Sequence, residues 1–137
     1  MSIDASAQAL PDPIAQALKN SVTDGLSIKT DSASDVYRYV DTTGRVSYLK
    51  IQRPSWSPPL SRERDAIQWF YRKVAVPEVI AYHLQNDVEY LLTTAIPGTS
   101  SENDSCHANK QRLVEQLAYA LRTIHHIPIT GCPVDKT

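Results

Sequence analysis

The segment DVYRYVDTTGRVSYLKI, residues 35–51, constrains the fold more than any other part of the chain. Apolar and polar residues alternate through DVYRYVD (35–41) and again through VSYLKI (46–51). Between them TTGR (42–45) supplies Gly44, able to take a positive φ, so the segment reads as a β-hairpin. Period two puts Val46, Tyr48 and Lys50 on one face of the second strand and Ser47, Leu49 and Ile51 on the other. An ammonium therefore shares a face with an aromatic ring. Taken alone, such a lysine lays its stem along a strand end and keeps its charge in water. The rest of the chain decides whether it does more.

Upstream, Asp12 as N-cap and Pro13 in the first turn predict a short helix to about Asn20, and LSIKT (26–30) begins strand-like material. Downstream, RPSWSPPL (53–60) carries three prolines and cannot continue a ladder. SRERDAIQWFYRKV (61–74) has apolar residues at 66, 67, 70 and 74, one helical face, with Ser61 as the expected N-cap. PEVIAYH (77–83) and VEYLLTT (88–94), joined by a Leu-Gln-Asn-Asp turn, predict a second hairpin. Pro97 and Gly98 then end the strand and a polar loop follows. ANKQRLVEQLAYALRTIHHI (108–127) is an amphipathic helix with Leu113, Leu117, Leu121 and Ile124 on one stripe, stopped by Pro128. The expected division is a leader with a short helix (1–25), a sheet-and-helix unit (26–96), and a linker with the start of a second unit (97–137).

Composition narrows the partners. A net charge of -1 offers no basic patch for nucleic acid or an anionic membrane. The start MSIDASAQALPDP lacks the charged and apolar regions of an export signal, and no stretch reaches the roughly 20 apolar residues of a bilayer span, so a cytoplasmic location is expected. Cys106 and Cys132 lie far apart and read as reduced thiols; the dipeptide Cys106-His107 has too few companions for a zinc site, and no metal ligand is assigned. Neither G-x-G-x-x-G nor a Walker loop occurs.

The order of elements resembles the N-lobe of a protein-kinase-like fold and the first helix of its C-lobe: a five-stranded antiparallel sheet with one helix between its third and fourth strands. The fold class expected is thus α+β. Seven ordered pieces carry a closer resemblance: SASDVYRY (32–39), SYLKI (47–51), RERDAIQWF (62–70), VPEVIAY (76–82), LLTTAIPG (91–98), LRTIHHI (121–127) and CPVD (132–135). Together they resemble the N-terminal part of an aminoglycoside phosphotransferase of the 3′ branch.

That resemblance implies roles for particular residues. Lys50 becomes the third-strand lysine that holds nucleotide phosphate oxygens, and Glu63 the carboxylate that holds it in turn. Ser32, in the loop between the first two strands, is expected to face the β-phosphate through its hydroxyl and neighbouring N–H groups. Val36 is expected to pack on the base from above and Tyr48 to stack beneath or beside it, while Thr94 and Ile96 offer backbone groups to the adenine edge. His125 and Asp135 match positions that look structural. ATP and an aminoglycoside are the implied ligands.

The sequence also departs from the family. The H-G-D loop that supplies the catalytic aspartate and the I-D-x-G segment that ligates Mg²⁺ are both missing, so Mg²⁺ ligands are expected in an absent C-lobe and the 137 residues alone are expected to be inactive. The chain is read as a fragment or truncated product, with self-association through the exposed final helix as a consequence. Two other readings stay open: a related kinase for choline, homoserine or a sugar, and a non-catalytic interaction module.

Overall fold

The two alternating runs pair as the sequence predicts. In the computed structural model, which describes residues 10–23, 25–30, 34–55, 58–97 and 109–133, they form β2 (Ser34–Val40) and β3 (Val46–Gln52). The register sets Val36 opposite Lys50 and Arg38 opposite Tyr48. The connecting turn closes on one carboxylate. Asp41 Oδ1 accepts the Thr43 N–H at 2.8 Å, the Thr43 hydroxyl at 2.6 Å and the Arg45 N–H at 2.9 Å, while Gly44 takes φ +84°. The Thr43 hydroxyl above all, with the two N–H groups, holds the Asp41 carboxyl below its ordinary range against a smaller opposing desolvation.

The second hairpin pairs β4 (Val79–Gln85) with β5 (Val88–Thr94). Its turn is tighter than the four residues expected: only Asn86 and Asp87 lie outside the strands, at φ 53° and 62°. Two left-handed residues match the strand twist, and Asn and Asp tolerate that conformation better than most side chains, so β4 runs on through Leu84 and Gln85.

With β1 (Leu26–Thr30) beside β2, the sheet is antiparallel in the order β1-β2-β3-β5-β4. The helix α2 (Leu60–Phe70) carries the chain from β3 to the far edge, leaving the central place for β5. This is the expected architecture. Two details of α2 differ from expectation. Ser61 is not its N-cap; the helix starts one residue earlier, and a carboxylate from β5 does the capping. The helix also stops at Phe70 rather than near Val74, because Tyr71 is extended (φ -55°, ψ 130°) and Arg72 turns left-handed at φ +69°.

The leader contributes directly to the core. In α1 (Asp12–Ala17) the residue before the helix is Pro11, whose carbonyl accepts the N–H groups of Ile14 and Ala15, so Asp12 is the first helical residue rather than the N-cap. Ile14 is fully buried against Tyr37, Tyr39, Leu49, Ile51 and Leu92. Each such aliphatic burial is worth about 1.5 to 3 kcal/mol, so segment 10–23 is packed as part of the sheet unit. At its end Gly25 takes φ +71°, and a Cβ there would lie 2.7 Å from the Tyr39 ring.

The helix α3 (Lys110–His125) is capped by Asn109, whose side-chain oxygen accepts the Arg112 N–H at 3.0 Å. None of its residues is buried, and Leu117, Leu121 and Ile124 of the predicted stripe are exposed. Beyond it the chain passes Trp69 of α2: a Cβ on Gly131 would lie 3.9 Å from the indole nitrogen. Among the described residues no helix is long and apolar enough to cross a membrane.

Candidate nucleotide site

Residues opposite one another in an antiparallel sheet share a face. The face away from α1 therefore carries a row running Val36, Lys50, Leu91, Tyr82 across four strands, with Arg38, Tyr48 and Thr93 in the next row. From this side α2 packs on β4 and β5. Its first turn brings Glu63 to the sheet, where Glu63 Oε2 lies 3.3 Å from Lys50 Nζ. A carboxylate in a first turn is favoured by the helix dipole. The side chains are 35% and 46% exposed, so the pair contributes little to stability, and the ammonium has further protons to donate to an anion arriving from solvent.

The placement of α2 depends on a residue that the sequence reading did not single out. Glu89 of β5, only 8% exposed, accepts the Leu60 N–H at 2.8 Å and the Ser61 N–H at 2.9 Å, and its Oε2 also accepts the Tyr82 hydroxyl at 2.7 Å. Burial, reinforced by that bond to a carboxylate, pushes the Tyr82 hydroxyl above its ordinary range. The Arg64 guanidinium lies 4.4 Å over the Tyr82 ring and also pairs with Asp65 at 3.0 Å. On β3, the Gln52 amide donates to the Pro58 carbonyl at 2.8 Å, tying down the chain just before the helix. The available signal was a glutamate alternating through VEYLLTT on the side shared with Leu91.

Where β5 leaves the sheet, an open cleft of about 580 Å³ is lined by Tyr48, Thr94 and Ile96 together with Arg38, Glu78 and Pro97 among others. Of the residues singled out from the sequence, Tyr48, Thr94 and Ile96 thus meet in one cleft. Lys50 and Val36 stand in the adjoining row of the same face. Thr94 is paired with Ser47, on the face opposite Tyr48; its hydroxyl accepts the Glu78 N–H at 2.8 Å and its own N–H bonds the Glu78 carbonyl at 2.9 Å. Ala95 N–H makes the last bond to β3, on the Val46 carbonyl at 3.1 Å, and Ile96 follows half exposed. The charged lining was not foreseen, although the alternation that puts Val36 on the Lys50 face puts Arg38 there too.

Ser32, Cys106, His107 and Asp135 lie outside the described residues. His125 is exposed in the last turn of α3 and takes no part in the cleft. Among the described residues no group of three or more His, Cys, Asp or Glu side chains converges.

Comparison with known proteins identifies the relatives. The model of the phosphotransferase enzyme family, APH, matches residues 25–137. An aminoglycoside 3′-phosphotransferase of Niallia circulans is 28% identical over 105 residues, covering 77% of this chain and 40% of that protein. One from Streptomyces ribosidificus is 30% identical over 110 residues, covering 77% and 41%. The chain therefore spans about 40% of the length of these curated relatives. Among solved structures, aminoglycoside phosphotransferase APH(3'')-Id from Streptomyces rimosus superposes with a TM-score of 0.62 at 23% identity, covering 82% of this chain and 40% of that one. The fold is accordingly α+β, a kinase-like N-lobe followed by the first helix of the next lobe. The family match covers most of the sequence, and the chain belongs to the phosphotransferase enzyme family.

Proposed function

We propose that this chain is the ATP-binding portion of an aminoglycoside phosphotransferase, an enzyme that passes the γ-phosphoryl group of ATP to an antibiotic hydroxyl and so confers resistance. The observation that carries the reading is the Lys50–Glu63 pair, 3.3 Å apart, on the same sheet face as the Tyr48 cleft. The adenine lies in the cleft between Tyr48 and the backbone of segment 94–96, with Val36 beside it. The phosphates extend toward Lys50, whose ammonium draws their negative charge, and Glu63 keeps the ammonium from swinging into solvent. Bound ATP supplies the phosphoryl group; these residues bind and orient it. Abstraction of the acceptor proton and metal binding are not assigned to any residue described here. The names of the curated relatives favour an aminoglycoside acceptor over choline, homoserine or a sugar, and over a module without catalysis.

Titration of the chain with ATP, adenosine and inorganic triphosphate tests the reading. Adenosine and ATP should both bind, weakly, with ATP the tighter of the two and with little dependence on added Mg²⁺. Binding of triphosphate as tight as that of ATP, or a strong Mg²⁺ requirement, would contradict it.

A further inference from the structure

We infer that Glu89 is a positioning residue for the Lys50–Glu63 pair, an inference that rests on reading Lys50 as the phosphate-binding lysine. The helix that carries Glu63 has no cap of its own, since Pro59 precedes it and no side chain of the N-cap residue accepts a bond. Two of its leading N–H groups, those of Leu60 and Ser61, are instead taken by the two oxygens of Glu89, one each. Glu63 follows Leu60 by less than one turn of a rigid helix, so fixing the start of α2 fixes the carboxylate.

The anchor and the lysine share one frame. Glu89 stands opposite Gln52 in the β3–β5 register, and Gln52 is two residues from Lys50 on the same face. Gln52 also holds the Pro58 carbonyl, so the approach to α2 and its first turn are both referenced to the strand pair that carries Lys50. The separation of Lys50 from Glu63 is then set by the buried Glu89 contacts, which the exposed ion pair is too weak to replace. Neither Glu89 nor Gln52 lines the cleft, so their influence on a nucleotide runs through α2.

The test is the ratio of ATP to adenosine affinity in the 137-residue chain, read for wild type, Lys50→Ala, Glu63→Gln, Glu89→Gln, Tyr82→Phe and the double variant Glu63→Gln/Glu89→Gln. Glu89→Gln sets an amide N–H against the helix N–H groups and should lower the ATP preference about 3- to 10-fold while leaving adenosine affinity in place. Tyr82→Phe, which removes only one of the three donors, should act in the same direction more weakly and carries the test if Glu89→Gln does not fold. In the Glu63→Gln background, Glu89→Gln should have no further effect on the ratio. An equal loss for both ligands, an unchanged ratio in Glu89→Gln beside a collapsed one in Lys50→Ala, or additivity with Glu63→Gln overturns the inference. An unchanged ratio in Lys50→Ala overturns the underlying reading of the lysine, and this inference with it.

Discussion

Lys50 on β3 and Glu63 on α2 are 13 residues apart in sequence and 3.3 Å apart in space, and both remain substantially exposed. An ion pair in that setting is worth about 0 to 1 kcal/mol, too little to account for the helix being held where it is. Glu63→Gln should therefore change the unfolding free energy by less than about 1 kcal/mol. Denaturant unfolding checks this, and a larger loss would mean that the pair is structural.

Gly25 is a more sensitive position. Its φ of +71° is costly for any residue with a Cβ, and that Cβ would sit 2.7 Å from the Tyr39 ring, itself part of the core. Gly25→Ala should destabilise by about 2 to 4 kcal/mol, the sum of a left-handed penalty and overpacking. Thermal unfolding that leaves the midpoint unchanged would show that the leader is free to move away.

Asp41 makes the first hairpin turn sensitive to acid. Its carboxyl titrates below the ordinary range, so the stabilisation it gives is complete above the unfolded midpoint and is lost as pH falls through the folded one. The amide resonances of Thr43 and Arg45, both bonded to Asp41 Oδ1, should shift together in that acid window. Asp41→Asn should erase the step; a midpoint at or above the ordinary value would contradict the turn geometry.

The two sheet faces and α3 should differ sharply in tolerance. Leu92 is fully buried, and Leu92→Ala should cost about 2 to 5 kcal/mol, whereas Leu121, more than half exposed, should cost under about 1 kcal/mol as alanine. Sedimentation over a range of concentrations tests the expected self-association through Leu117, Leu121 and Ile124; loss of association in Leu121→Gln supports it, and monomers throughout in wild type count against it.

The first hairpin was legible because β2 alternates between buried and half-buried residues: DVYRYVD and VSYLKI give the pairing, and alternation puts Lys50 and Tyr48 on one face. What escaped was decided by long-range partners. Ser61 looks like a helix cap in sequence, but Glu89, 28 residues later, accepts the N–H of Ser61 itself, which lies inside the helix. The helix pattern continues to Val74, yet the left-handed Arg72 ends it. Ile14 sits in a short leader helix, and only the folded sheet shows that a core closes over it. Glu78 and Arg45 line the cleft because chain segments distant in sequence meet there, which no local spacing reports.

The central claim, that Lys50 serves nucleotide phosphates, is tested most directly by isothermal titration of wild-type and Lys50→Ala chains with ATP and with adenosine. Loss of a charge-assisted contact of about 1.5 to 3 kcal/mol predicts ATP binding weakened roughly 10- to 100-fold with adenosine binding unchanged. ATP affinity in Lys50→Ala equal to that of wild type would contradict the account and leave Lys50 as a lysine that shields a strand end.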